Sequence, residues 1–169
     1  FFTTKAHYLP HLRMIIAGTG YAGFADRWYC HVNSQMRVAG IENLDYHTPS
    51  SLKQAWEGFC SRENPPPGTT TVYHIGFSEE TGEVVTFAYR SKNDFSSERI
   101  PYGLACKPDC SVPDGDDLTA LIRPMMEEQR EIQSKIPADE RIYIGGEANA
   151  IRLTPDGCRQ WTLFRFADF

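Results

Sequence analysis

Thr70 to Tyr89 reads TTVYHIGFSEETGEVVTFAY. Two runs rich in β-branched and aromatic residues, Thr70–Phe77 and Glu83–Tyr89, flank the polar segment SEETG. Such side chains are stiff at χ1 and pack well on a pleated surface, and a Gly-containing polar break of this length suits a reversal. The stretch therefore predicts a β-hairpin. A third strand is expected over Glu98–Ala105, interrupted by Pro101, which has no N–H to give a ladder and marks an edge or a bulge.

Upstream of the hairpin the period changes. Leu12–Ala17 is a short apolar run stopped at Gly18-Thr19-Gly20, and it predicts a strand; Pro10 separates it from an earlier extended segment. From Tyr21 to about Met36, Phe24, Trp28 and Val32 recur every fourth residue, with Ala25 and Tyr29 widening the stripe, as on an amphipathic helix. Thr48 is a suitable N-cap and Pro49 a suitable first helical residue, so a second helix is expected from there to Asn64, carrying Leu52, Trp56 and Phe59 on one face.

Downstream, Asp116 and Asp117 open a helical stretch running towards Lys135, with Leu118, Leu121, Ile122, Met125, Met126, Gln129 and Ile132 as its stripe. Pro124 inside that run predicts a kink or a late start. Arg141–Ile144 is expected as a strand leading through Gly145-Gly146 into Ala148–Leu153. The turn Thr154-Pro155-Asp156-Gly157 then precedes a return strand, Cys158–Phe166. Strand, helix, helix, strands, helix, strands is the order of an α+β or layered arrangement, and 169 residues fit one domain, taken as 1–169.

Composition narrows the function classes. A 41% hydrophobic and 12% aromatic share belongs to a packed chain. The formal charge of −5, with cations scattered, provides no footprint for nucleic acid. No apolar run approaches the ~20 residues that span a bilayer, and no secretory leader is visible, so a cytoplasmic or particle-assembled protein without a membrane partner is expected. Five cysteines, an odd number, argue against a disulfide framework. Cys106 and Cys110, four apart, resemble a metal half-site, but no second pair follows; small buried hydrophobes are the expectation, and no metal.

Other candidates are weighed the same way. His7 and His11 are four apart with Pro10 between them, which rules out a shared helical metal face. His47 is expected at a helix start, and His74 as a packed or solvent-facing strand residue. Adjacent Cys30 and His31 point apart on a helix. Gly18, Gly20 and Gly23 have dinucleotide-fingerprint spacing, but Glu42 to Asp45 lie in an expected loop rather than at the end of a second parallel strand; no cofactor is expected.

Read together, the early strand with Lys5, the Ile15-Ile16-Ala17-Gly18-Thr19-Gly20 strand end, the Gly76–Gly82 hairpin turn, Gly145-Gly146 and Asp156-Gly157 resemble the proteasome β-subunit and HslV-type family of N-terminal-nucleophile (Ntn) hydrolases. The likeness rests on order and spacing along nearly the whole chain. It implies an αββα sandwich, antiparallel sheets flanked by helices. It implies a peptidase or amidohydrolase acting on peptide substrates, with assembly into a homo-oligomer or a larger particle. In that family a Thr, Ser or Cys at the free N-terminus attacks the carbonyl and its own α-amino group is the base. The hairpin bearing that nucleophile is expected before Phe1; within the chain the candidate nucleophile is Thr3, exposed by trimming, with Lys5 nearby. Where the family commonly has an Asp followed closely by Ser or Thr near the Gly pair, this chain has Asp139 six residues before Gly145, and Ile144 just before the pair. That departure supports an alternative, a non-catalytic building block of an assembly such as a viral particle. A small-molecule module using the Gly18–Gly20 turn is a further alternative.

Overall fold

A computed structural model describes residues 5–21, 23–65, 68–115 and 117–167. The elements are β1 (Ala6–Leu9), β2 (Met14–Thr19), α1 (Phe24–Gln35), α2 (Ile41–Glu63), β3 (Thr71–Phe77), β4 (Val84–Arg90), β5 (Ser97–Ile100), α3 (Leu118–Ser134), β6 (Glu147–Thr154) and β7 (Gly157–Arg165). β1 to β5 form one antiparallel sheet in chain order, and β6 and β7 pair separately. The class is α+β, with antiparallel sheets and, among the described residues, three α-helices. The chain forms two compact units, residues 1–102 with 153–158, and residues 103–152 with 159–169. Among the described residues no helix is long and apolar enough to cross a membrane.

In the first unit, register decides which side chains meet. His7, Ile16, His74 and Phe87 lie in one row across β1 to β4, and the neighbouring rows align Met14 with Gly76 and Val85, and Gly18 with Val72 and Tyr89. Side chains alternate faces along a strand, so these rows share one side of the sheet. α1 packs on β1 and β2, and α2 on β3 and β5. Phe24, Trp28 and Val32 of α1, with Leu44, Leu52 and Phe59 of α2, join Met14, Ile16, Val72, Val85, Phe87 and Tyr89 in the core. Gly18 permits the close seating of α1, because a Cβ there would lie 2.3 Å from the Ala25 Cβ. Gly20, at φ 97°, lets the end of β2 pass the Thr69 carbonyl, which a Cβ would meet at 2.1 Å.

The hairpin expected around Ser78–Gly82 is present. The Ser78 carbonyl accepts from the Gly82 N–H (2.9 Å) and the Ser78 hydroxyl from the N–H groups of Glu80 and Thr81 (both 3.2 Å), with Gly82 at φ 75°.

Several boundaries differ from the sequence reading. Leu12 lies in a 3-10 turn, Pro10–Leu12, and Arg13 takes a left-handed φ of 47°, so β2 begins only at Met14. α2 begins at Ile41, well before Thr48, which is buried inside the helix and donates its hydroxyl to the Leu44 carbonyl at 2.8 Å. The cap comes from elsewhere in the fold: the Glu79 carboxylate, on the β3–β4 turn, accepts from the N–H groups of Glu42 (3.0 Å) and Asn43 (2.7 Å). Pro49 thus sits in the interior, where Asp45 loses its usual i+4 donor. β5 stops at Ile100, before the proline.

In the second unit, Asp117 caps α3, accepting from the N–H groups of Thr119 (3.0 Å) and Ala120 (3.3 Å), and the helix runs through Pro124 without a late start. Residues 141–144 are not a strand. The Ile142 N–H instead donates to the Gln133 side-chain oxygen at 2.7 Å, which ties the segment to the end of α3.

Candidate functional site

Polar side chains are costly between a helix layer and a sheet unless they find partners. A seam of them crosses the helix-facing side of the five-stranded sheet. At its outer end, His7 of β1 donates from Nε2 to the Asp26 Oδ1 of α1 at 2.7 Å, and its ring stacks on Tyr29 at a centroid distance of 4.6 Å. His7 keeps 22% of its side chain exposed and Asp26 34%, so the pair is reachable from solvent. With Nε2–H held by the carboxylate, Nδ1 of a neutral ring is the proton acceptor. His–carboxylate geometry of this kind is suited to proton transfer, or to a surface-linked structural pair.

Further in, the Trp28 Nε1–H donates to His74 Nε2 at 2.8 Å. His74 is fully buried, its ring 4.8 Å from that of Tyr89, and its Nδ1 has no hydrogen-bond partner. Burial lowers its pKa to about 3, so the ring is neutral at physiological pH and its proton sits on Nδ1. It is a packing residue rather than a base. At the far side, the Tyr89 hydroxyl and the Ser97 hydroxyl both donate to Asp45 Oδ1, at 2.6 and 2.5 Å. Burial, then the Asp45 hydrogen bond and charge, raise the Tyr89 pKa well above the usual phenol value.

Thr3 lies outside the described residues. Lys5 is exposed, and its carbonyl accepts from the Gly18 N–H at 3.0 Å. His7 and His11 are not brought together: His11 lies in the Pro10–Leu12 turn and lines an open depression of about 600 Å³ with Asn33 to Val38, at the end of α1. His47 is an exposed residue within α2, against the Tyr46 ring, and not at a helix start. Cys30 is exposed, while His31 stacks on Trp28 at 5.4 Å. Among the described residues, no group of three or more His, Cys, Asp or Glu is placed to hold a metal.

The Gly18, Gly20, Gly23 spacing does link a strand to a helix, but β3 runs antiparallel to β2, so the parallel crossover of a dinucleotide fold is absent here. Close packing accounts for Gly18 and Gly20.

The His7–Asp26 pair escaped the sequence reading. Its members are 19 residues apart on elements of different period, and only Asp26 falling beside the apolar stripe of α1 hinted at it. Compared with protein-family models, with curated proteins and with solved structures, the chain finds no match.

Proposed function

We propose that the chain is a relative of the proteasome-type Ntn hydrolases, built on an αββα sandwich and acting on peptide or amide bonds through an N-terminal nucleophile. The observation that carries the reading is a sheet with apolar residues on both faces. Beyond the helix-covered side, the opposite rows run Tyr8, Ile15, Ile75 and Thr86, and Ala6, Ala17, Tyr73, Ala88 and Glu98; Ile15 and Ala88 are buried, and Tyr8, Ala17, Tyr73 and Ile75 half-buried. A largely apolar, half-covered second face suits an inner layer, as each sheet of a four-layer sandwich is. The helix pair following the Gly18–Gly20 turn and the SEETG hairpin fit the same order.

In this chemistry a Thr, Ser or Cys side chain adds to the amide carbonyl while the α-amino group, with a pKa near ~8, takes its proton. Thr3 is the candidate nucleophile within the chain. A ring or stacked homo-oligomer is part of the reading.

The alternative is a non-catalytic assembly subunit on the same scaffold. It is favoured by Ile144 standing before Gly145-Gly146, where an isoleucine cannot orient an amine or donate to an oxyanion. The test is N-terminal sequencing and intact mass of the natural protein, together with labelling by a peptide vinyl sulfone. A mature N-terminal Thr, Ser or Cys that takes the label, and a substitution of that residue (Thr3→Ala if it is Thr3) that abolishes labelling, are the expected outcome. A mature chain with any other first residue and no label sinks the hydrolase and leaves the assembly subunit.

A further inference from the structure

Residues 101–115, between β5 and α3, form neither helix nor strand, and α3 holds them as a strap. Two successive helix residues do so. The Pro108 carbonyl accepts from the side-chain amide of the buried Gln129, and the Glu128 carboxylate accepts from both the Ser111 N–H (3.0 Å) and the Ser111 hydroxyl (2.8 Å). The strap also carries Cys106 and Cys110, both free and half-buried rather than the fully buried hydrophobes the sequence suggested.

Ser111 is exposed, and so are residues 112–115 after it. The chain continues Val112-Pro113-Asp114-Gly115-Asp116-Asp117, with acids at the third, fifth and sixth places after the serine and no cation among them. Kinases select substrates largely by charge pattern, and one with a basic peptide groove suits a serine in exposed, irregular chain followed by acids. Ser91 has an acid at the same third place, Asp94. However, Lys92 follows it directly, it lies in the 3-10 turn Ser91–Asn93, and its hydroxyl accepts from the Thr70 N–H at 3.0 Å.

We propose that Ser111 is a phosphorylation site for an acid-directed kinase, and that phosphorylation releases the strap from Glu128. This is independent of the hydrolase reading.

The Ser111 Oγ attacks the γ-phosphorus of a nucleoside triphosphate supplied by the kinase. An O–P bond forms, the bond from that phosphorus to the β,γ-bridging oxygen breaks, and the nucleoside diphosphate leaves with the electron pair. The hydroxyl proton passes to a base on the kinase. The ester oxygen then has no proton to give Glu128, and the phosphate sets about −1.5 to −2 charges beside the carboxylate that held it. Asp109, two residues upstream, adds a further negative charge on the strap. The contact that latched the strap becomes one that opens it. In the other direction, a hydroxyl held by Glu128 must leave it before a kinase can act, so the latch slows the modification.

The test incubates the purified full chain with a casein-kinase-type acid-directed kinase and magnesium ATP and maps the sites by mass spectrometry. The alkylation rate of Cys106, a half-buried thiol on the same strap, is compared before and after. A phosphoryl group on Ser111 is expected, absent in Ser111→Ala and at least about tenfold slower to form in Asp114→Asn. Glu128→Ala is expected to be phosphorylated at least about threefold faster, and Cys106 of the phosphorylated chain to alkylate at least about fivefold faster. No phosphate on Ser111 of the folded chain overturns the site, and an unchanged Cys106 rate after phosphorylation overturns the release. Should Glu128→Ala fail to fold, the unaltered chain decides both points alone.

Discussion

A buried histidine shows how one residue ties stability to pH. His74 has a folded pKa of about 3, set by burial, against about 6.5 in the unfolded chain. The sign follows from proton counting. Below pH 6.5 the unfolded state binds a proton that the folded state refuses, so stability present above 6.5 is lost as pH falls towards 3, by about 1.4 kcal/mol per unit at most. Urea unfolding at pH 7.0 and at pH 4.5 is expected to show a midpoint that falls with pH, and the fall should be markedly smaller in His74→Phe. An equal fall in both proteins would place the loss in the carboxylates instead. Sequence reading left His74 between packed and solvent-facing. The register placing it in one row with Ile16 and Phe87, under Trp28, settles it as packed.

At the scale of the element, α2 shows where local rules give way. Thr48-Pro49 is a good helix start in isolation, yet the helix begins at Ile41, because Glu79 supplies from another strand what a local cap would otherwise provide. Burial alone would raise the Glu79 pKa, but the N–H groups of Glu42 and Asn43 bring it below the usual carboxylate value. Its contribution is therefore present above the unfolded pKa and lost as pH falls through the folded one. Glu79→Ala is expected to cost about 1 kcal/mol at pH 7 and to lose residues 41–47 from the helix first, read as a lower thermal midpoint and faster amide exchange there. Unchanged exchange over 41–47 would mean that the cap adds nothing to the fold. α3 behaves differently: Asp117 is a local cap and was legible from the pattern, whereas Pro124 proved compatible with a continuous helix.

Over the whole molecule, the two compact units differ in how they are held. The apolar cluster of the first draws on β1, β2, β3, β4, α1 and α2 together, while the buried side chains of α3 are Met125, Gln129 and Gln133, two of them polar. Local opening free energies follow buried apolar contact. Amides of β2, β3 and β4 are expected to exchange at least about tenfold more slowly than those of α3 in hydrogen-exchange mass spectrometry. Equal protection in both would indicate one cooperative unit.

Apart from residues 141–144, strand and helix existence, the α+β class and the SEETG hairpin were legible in the sequence alone, because β-branched runs, a four-residue apolar period and a Gly-bearing turn act through neighbours close in the chain. Residues 141–144 read as a strand and became a tie to Gln133, because a short apolar run has no partner strand written into it. Tertiary structure decided the cap of α2, the burial of His74 and the meeting of His7 with Asp26. Each joins groups whose proximity is set by strand register or helix seating, and no local period encodes those.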